Sequence, residues 1–176
     1  SIFKINSEEE DNGDIYDTKC FNINTEDNIE TVYLKSHFKI SEMILKLIKE
    51  KNYNKKIKQP KKGKYLPKIT DNDGFIDWNR SADKIVAFIR SKTKSYKGAQ
   101  TKIKNKLLRI YEAKKIVLTK KSTLPGKIIH KTYNNKLVVS CKGSQLIVTE
   151  YELMNKRHKL SEGEIFETID FNEQMG

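Results

Sequence analysis

The stretch KNYNKKIKQPKKGKYLPKITDNDG, residues 51–74, constrains the fold more than any other part of the chain. It has no apolar period and carries Pro60, Gly63, Pro67 and Gly74 among many lysines. Proline fixes its own φ, restricts the residue before it and lacks an N–H, so neither a helix nor a central strand runs through such a segment. It reads as a linker, with a domain boundary near residue 70. A solvated connector and a phosphate-binding strap are both compatible with its lysines. The 176 residues are therefore expected to form two small units rather than one core.

Upstream of this break, SIFKIN (1–6) alternates apolar and polar residues like a strand, and IYDTKCFNI (15–23) reads as a second. Between them lies the acidic run EEEDNGD. A helix is expected over 26–50, because Ile40, Met43, Ile44, Leu47 and Ile48 share one face. Asn24 or Thr25 is placed to cap it. Strand, turn, strand and helix in this order suit the end of an α/β domain. The chain starts at Ser1 directly in a strand-like segment, which reads as a fragment whose upstream part is missing.

Downstream, Ser81 is a suitable cap for a helix whose Ala82, Ile85, Val86 and Ile89 fall on one side, with Phe88 beside them. The pattern then changes to period two or to continuous apolar runs. Strands are expected near 106–118, 127–132, 136–141 and 145–152. Asn134-Asn135 and Lys142-Gly143 supply tight turns. A short helix is expected near 161–168. Several short strands with a small helix suggest a compact β-barrel of OB type.

Charge is distributed unevenly. Residues 51–131 hold 24 basic and 5 acidic side chains, whereas residues 1–50 hold 6 and 11 and residues 132–176 hold 5 and 7. A central positive block attracts phosphate-bearing partners at long range, and a plain solvated surface gives the same composition. Lysine dominates over arginine, which suits diffuse attraction better than bidentate phosphate forks.

Most chemistries find no support. No apolar stretch approaches a membrane span, and SIFKINSEEE has neither the basic start nor the apolar run of a secretory signal. Cys20 and Cys141 match no metal or redox spacing, so a reduced, cytoplasmic setting is expected. His37, His130 and His158 lie in separate elements, and no metal site is expected. Gly-rich phosphate loops, nucleophile elbows and EF-hand spacing are absent from the sequence. What remains is Asp11-Asn12-Gly13-Asp14-Ile15, where a glycine turn places a carboxylate at a strand end. On spacing alone an acidic surface turn is the favoured reading.

Taken in order, the motifs resemble those of the 10-formyltetrahydrofolate-dependent formyltransferases. The opening segment with Asp11, Gly13, Asp14 and Ile15 is similar to their strand and D-x-G-D-I turn. QPKKGKYLPKITDNDGFIDWNRSADKIVAFIRSKTKSYKGAQT resembles their domain junction: Q…G…Y, then I-D-W, a helix carrying A-x-x-I-x-x-x-I-R, and a P-G-A-x-T turn. IYEAKKIVL, LPGKII, KLVVSCKGSQLIVTEYEL and KLSEGEIF resemble the strands and closing helix of their C-terminal domain. The resemblance covers nearly the whole chain. Two departures stand out. Glu8, Glu9 and Glu10 replace a glycine and an apolar residue, and Lys97 stands where the family has proline.

The resemblance implies the end of a Rossmann-like catalytic domain over 1–58, a basic linker over 59–74 and an OB-like C-terminal domain over 75–176. It implies 10-formyltetrahydrofolate as the formyl donor, with no metal. The acceptor it implies is an amine, first a nucleotide-linked amino sugar, because SIFKI and IRSKTKSYKGA are more similar to the sugar-type members, with an initiator tRNA as the alternative; no membrane partner is implied, and a homodimer is compatible with it. The family's catalytic Asp falls on Asp11, while its Asn and His and most of its cofactor pocket fall upstream. These 176 residues alone are therefore expected to be inactive. Asp14 matches the second acidic residue and suits a brace for the turn. Trp78 can stack on a base or sugar or pack at the domain junction, and Arg90 can bind a phosphate or make a structural contact. A non-catalytic OB-like module that binds nucleic acid is a third reading. Against it, only Tyr111, Tyr133 and Tyr151 offer aromatics on the expected strands.

Overall fold

An asparagine at position 28 sets where the first helix begins. Its Oδ1 accepts from the Thr31 backbone N–H at 3.0 Å, and Thr31 Oγ1 accepts in return from the Asn28 N–H at 3.0 Å. This reciprocal box satisfies two N–H groups that a helix start leaves open. The computed structural model describes residues 1–5, 13–51, 53, 56–59, 67–117, 124–154 and 159–168. It divides into two compact units, Ser1–Lys68 and Ile69–Gly176.

The first unit contains β1 (Ile2–Phe3), β2 (Ile15–Asp17) and α1 (Ile29–Glu50). The strands are antiparallel, with Ile2 opposite Asp17 and Phe3 opposite Ile15. Both are shorter than their alternation suggested. The helix starts later than expected, because residues 24–27 form a turn. In it the Asn24 N–H donates to Asp27 Oδ2 at 2.7 Å, and Lys35 Nζ reaches the same carboxylate at 2.5 Å. α1 ends at Lys51, which adopts a left-handed conformation with φ 48°. Only Met43 of this helix is fully buried. Ile57, inside the stretch read as irregular, exchanges two backbone hydrogen bonds with Ile15 at 2.8 and 2.9 Å and so extends the small sheet.

The second unit begins with a 3₁₀ turn, Asp71–Gly74, and α2 (Ala82–Ser91). Five antiparallel strands follow: β3 (Ala99–Ile103), β4 (Lys106–Ile116), β5 (Ile128–Lys131), β6 (Leu137–Cys141) and β7 (Ser144–Leu153). Their spatial order is β3-β4-β7-β6-β5. Helix α2 lays Ala82, Ile85 and Ile89 against Leu108, Ile110, Leu146 and Val148 of the sheet in one continuous core. Ser81 occupies the N-cap position as expected, although its side chain makes no capping bond.

Strand β3 was not foreseen. Its hairpin to β4 turns on Lys104 and Asn105, both at positive φ (48° and 61°), with no glycine to announce the turn. The expected turns at Lys142-Gly143 and Asn134-Asn135 join β6 to β7 and β5 to β6.

The short helix expected near 161–168 is absent; a turn at Glu162-Gly163, with Gly163 at φ 84°, leads into an extended stretch over 164–168. Burial alternates along it, with Phe166 buried and Ile165 and Glu167 exposed, which is a period of two. Ile165 bridges Lys127 beside β5, and Glu167 bridges Lys102 of β3. The outer strands β3 and β5 are thus each linked to this segment rather than to one another. No closed barrel of strands forms among the described residues.

Candidate functional site

The chemistry expected of the first unit hangs on the turn before β2. Gly13 is buried, and a Cβ placed there would lie 1.4 Å from the Lys4 carbonyl oxygen. No side chain fits, so glycine is required by close backbone approach rather than by φ. The Lys4 N–H donates to the Asp14 carbonyl at 2.9 Å, tying the turn to β1. From the other side, Gln59 Nε2 donates to the Gly13 carbonyl at 2.7 Å. The Asp14 carboxylate lies 3.1 Å from Lys56 Nζ, and both side chains are partly exposed. An ion pair of this kind adds little stability and chiefly orients the side chain. Asp11, the expected catalytic carboxylate, lies outside the described residues, as do Glu8, Glu9 and Glu10.

Gln59 and Lys56 are the residues that sequence reasoning missed. Gln59 opens the Q…G…Y pattern, which pointed to a junction but not to a hydrogen bond onto the Gly13 turn. Beside the turn, Ile15, Tyr16, Met43, Leu47 and Ile57 line a cavity of about 350 Å³ between β2 and α1.

Asp14 belongs to the first unit; Trp78 and Arg90 belong to the second. Trp78 is fully buried. Its indole N–H donates to Thr101 Oγ1 at 3.0 Å, and its ring stacks on Phe166 at a centroid distance of 5.3 Å. Gly126 makes room for this pair: at φ 80°, a Cβ there would lie 2.6 Å from the Phe166 carbonyl oxygen. Neither face of Trp78 is open to solvent. Arg90 is half-buried at the end of α2, and its Nε is buried with no hydrogen-bond partner among the described residues.

Small clefts open among the described residues of the second unit. One, of about 220 Å³, has Phe75, Ile76, Ile85 and Phe88 as its apolar lining, with Asp77, Arg80 and Lys84 also in its wall. Another, of about 160 Å³, is lined by Thr70, Lys92, Tyr96, Lys97 and Gln100 among others. Lys92 and Lys102 place their ammonium groups 5.9 and 5.4 Å from the Phe88 and Phe75 rings. Among the described residues no three His, Cys, Asp or Glu side chains gather as a metal site requires, and no helix is long and apolar enough to cross a membrane.

Known proteins place this arrangement. Residues 68–163 match the family described as "Formyl transferase, C-terminal domain". A methionyl-tRNA formyltransferase of Prochlorococcus marinus (strain MIT 9515) is 31% identical over 163 residues, covering 83% of this chain and 50% of that protein. The bifunctional polymyxin resistance protein ArnA of Wigglesworthia glossinidia brevipalpis is 34% identical over 99 residues, covering 53% of this chain and 14% of that protein. The crystal structure of HypX from Aquifex aeolicus in complex with tetrahydrofolic acid superposes with a TM-score of 0.66 at 18% identity, over 92% of this chain and 27% of that one. The chain thus spans about half the length of the methionyl-tRNA formyltransferase and a smaller part of the other two. With the match running through the 3₁₀ turn, α2 and all five strands of the second unit, the chain belongs to the formyl transferase family and carries its C-terminal domain.

Proposed function

We propose that the protein to which these residues belong is an N-formyltransferase, and that it moves a formyl group from 10-formyltetrahydrofolate to methionyl-tRNA. The family match over residues 68–163 carries the reaction class. The fold likeness to HypX, seen with tetrahydrofolic acid, supports a folate donor. Relatives named as methionyl-tRNA formyltransferases align over 83–89% of the chain in several cases, and the 24 basic against 5 acidic residues of 51–131 suit a polyanionic acceptor. A nucleotide-linked amino sugar, the acceptor toward which the segments SIFKI and IRSKTKSYKGA lean, is the second reading.

In this reading residues 1–58 close a Rossmann-like catalytic domain, 59–74 are a basic linker and 75–176 form an OB-like domain. The acceptor amine attacks the formyl carbon through its lone pair and so must be neutral. The tetrahedral intermediate needs a donor for its oxyanion, and the leaving folate nitrogen needs a proton. The Asn and His that serve these steps belong to the upstream half. Asp11, two residues before the anchored Gly13, supplies a carboxylate that orients and charges that His. Asp14 braces the turn through Lys56. Trp78 is structural, and Arg90, half-buried at the end of α2, makes a structural contact or binds a phosphate through the exposed part of its guanidinium.

The test is transfer of labelled formyl from 10-formyltetrahydrofolate by the protein in its natural form, offered methionyl-tRNA and an amino-sugar nucleotide in turn. Formylation of the tRNA, with binding that weakens steeply as salt rises, supports the first acceptor. Turnover of the sugar alone moves the assignment to the second, and tRNA binding without turnover of any amine leaves only a binding module.

A further inference from the structure

Gln100 of β3 is a buried polar side chain on a backbone fixed from both sides. Its carbonyl accepts from the Ile76 N–H at 2.8 Å, and it stands opposite Arg109 in the β3–β4 pair. The residue is only 7% exposed, yet its carboxamide has no hydrogen-bond partner among the described residues. Side-chain amides buried this deeply are nearly always hydrogen-bonded. The side chain belongs to the wall of the cleft of about 160 Å³, with Thr70, Lys92, Tyr96 and Lys97. Gly74 leaves room for the amide there: a Cβ on it would lie 3.2 Å from Gln100 Nε2, tighter than an ordinary contact. Two cations, Lys92 and Lys97, stand among the described lining residues, and no carboxylate does. Asp73 of the 3₁₀ turn lines the cleft of about 220 Å³ instead, its carboxylate accepting from the Thr70 N–H and hydroxyl at 2.6 and 2.8 Å. The Tyr96 ring is 48% exposed beside the lysines.

Together these groups select a ligand. A carboxamide presents a donor and an acceptor side by side, so its match presents an acceptor and a donor at the same spacing. Inorganic phosphate and carboxylates only accept, and would leave Oε1 of Gln100 unmatched. The edge of a nucleobase satisfies both atoms, as in the bidentate pairing of Gln with N6 and N7 of adenine. A tyrosine ring offers the same base a face to stack on, and ammonium groups suit the phosphate attached to it. We propose that this cleft is a nucleotide subsite, in which Gln100 reads the edge of the base, Tyr96 stacks on it and Lys92 and Lys97 hold the phosphate. The proposal deepens the function proposed above and rests on it for the source of the nucleotide, which methionyl-tRNA and an amino-sugar nucleotide both carry. Gln100 is then a specificity-determining residue toward the acceptor.

Photolabelling of the protein in its natural form tests this, with 8-azidoadenosine and 5-azidouridine 5′-monophosphates as probes and the labelled peptides mapped. At least one probe is expected to label the peptides that hold Tyr96 and Gln100. The parent nucleoside monophosphate is expected to displace it, and ribose 5-phosphate is not. No label on these peptides, or equal displacement by ribose 5-phosphate, overturns the proposal. Displacement by methionyl-tRNA alone assigns the nucleotide to the tRNA, and displacement by an amino-sugar nucleotide alone assigns it to the sugar; displacement by neither overturns the subsite. Gln100→Leu removes no side-chain hydrogen bond within the described residues, so its urea midpoint is expected to match the parent's or exceed it. Its labelling is expected to fall about ten-fold, and labelling within about two-fold of the parent's overturns the proposal. Lys97→Ala changes an exposed residue and is expected to lower labelling at least about three-fold, so it decides the matter if Gln100→Leu does not fold; unchanged labelling overturns the proposal. Formyl transfer on the same preparation separates the two failures. Transfer without label in the cleft sinks only this subsite, while label in the cleft without transfer to any amine sinks the function and leaves a nucleotide site.

Discussion

Gln59 Nε2 reaches back 46 positions to donate a 2.7 Å hydrogen bond to the Gly13 carbonyl, two residues after Asp11. The segment around Gln59 thus holds the turn on which the catalytic reading depends. Replacing Gln59 by Ala removes one neutral hydrogen bond and is expected to cost about 1 kcal/mol of stability. If the turn positions Asp11, turnover falls several-fold more than substrate affinity does. Urea unfolding and steady-state kinetics on the natural protein check both.

Gly13→Ala is expected to be worse, because the incoming methyl lies 1.4 Å from a backbone oxygen that no rotamer can move. The clash displaces β1 or the turn, at a cost of about 1–3 kcal/mol. Unfolding midpoints compared with those of Gly143→Ala, where no atom lies within 4 Å, separate close approach from backbone strain, since Gly143 sits at φ 69°.

Trp78→Ala is expected to destabilise the second unit by about 3–5 kcal/mol, the loss typical of a large buried aromatic. It also leaves the Thr101 hydroxyl without its indole partner. Trp78→Phe keeps much of the packing and is expected to leave the acceptor KM unchanged. A raised KM with unchanged stability contradicts the structural assignment.

The start of α1 gives a signed pH dependence. The Lys35 ammonium, then the Asn24 N–H, holds the Asp27 carboxyl down to about 2, below its ordinary 3.8. A depressed carboxyl stabilises the fold above its unfolded pKa, and the contribution is lost as pH falls from about 3.8 through 2. Asp27→Asn is expected to flatten that part of the stability profile and leave it unchanged near neutral pH, apart from a constant offset. Urea midpoints between pH 2 and 5 measure the difference.

These elements also show what was legible in the chain. The face of α2 was, because Ala82, Ile85 and Ile89 repeat at helical spacing, and so were β6 and β7, whose apolar runs flank Lys142-Gly143. Strand β3 was hidden because its turn residues, Lys104 and Asn105, lack the glycine that usually reveals a positive φ. SEGEIFET passed for a helix because its acidic residues and length suit one. What decides its conformation is Phe166 stacking on Trp78, 88 positions away. The Gly13 turn could be suspected from its own sequence, but its clamp could not, since Gln59 belongs to a segment without periodicity.

The most direct test of the account is formyl transfer from 10-formyltetrahydrofolate by the natural protein and by its Asp11→Asn variant, with methionyl-tRNA as acceptor. The account predicts turnover by the first and, with folding intact, a loss of about 100-fold or more in the second, the scale of a group that supports proton transfer. No transfer to tRNA or to any other amine, or a variant as active as the parent, contradicts it.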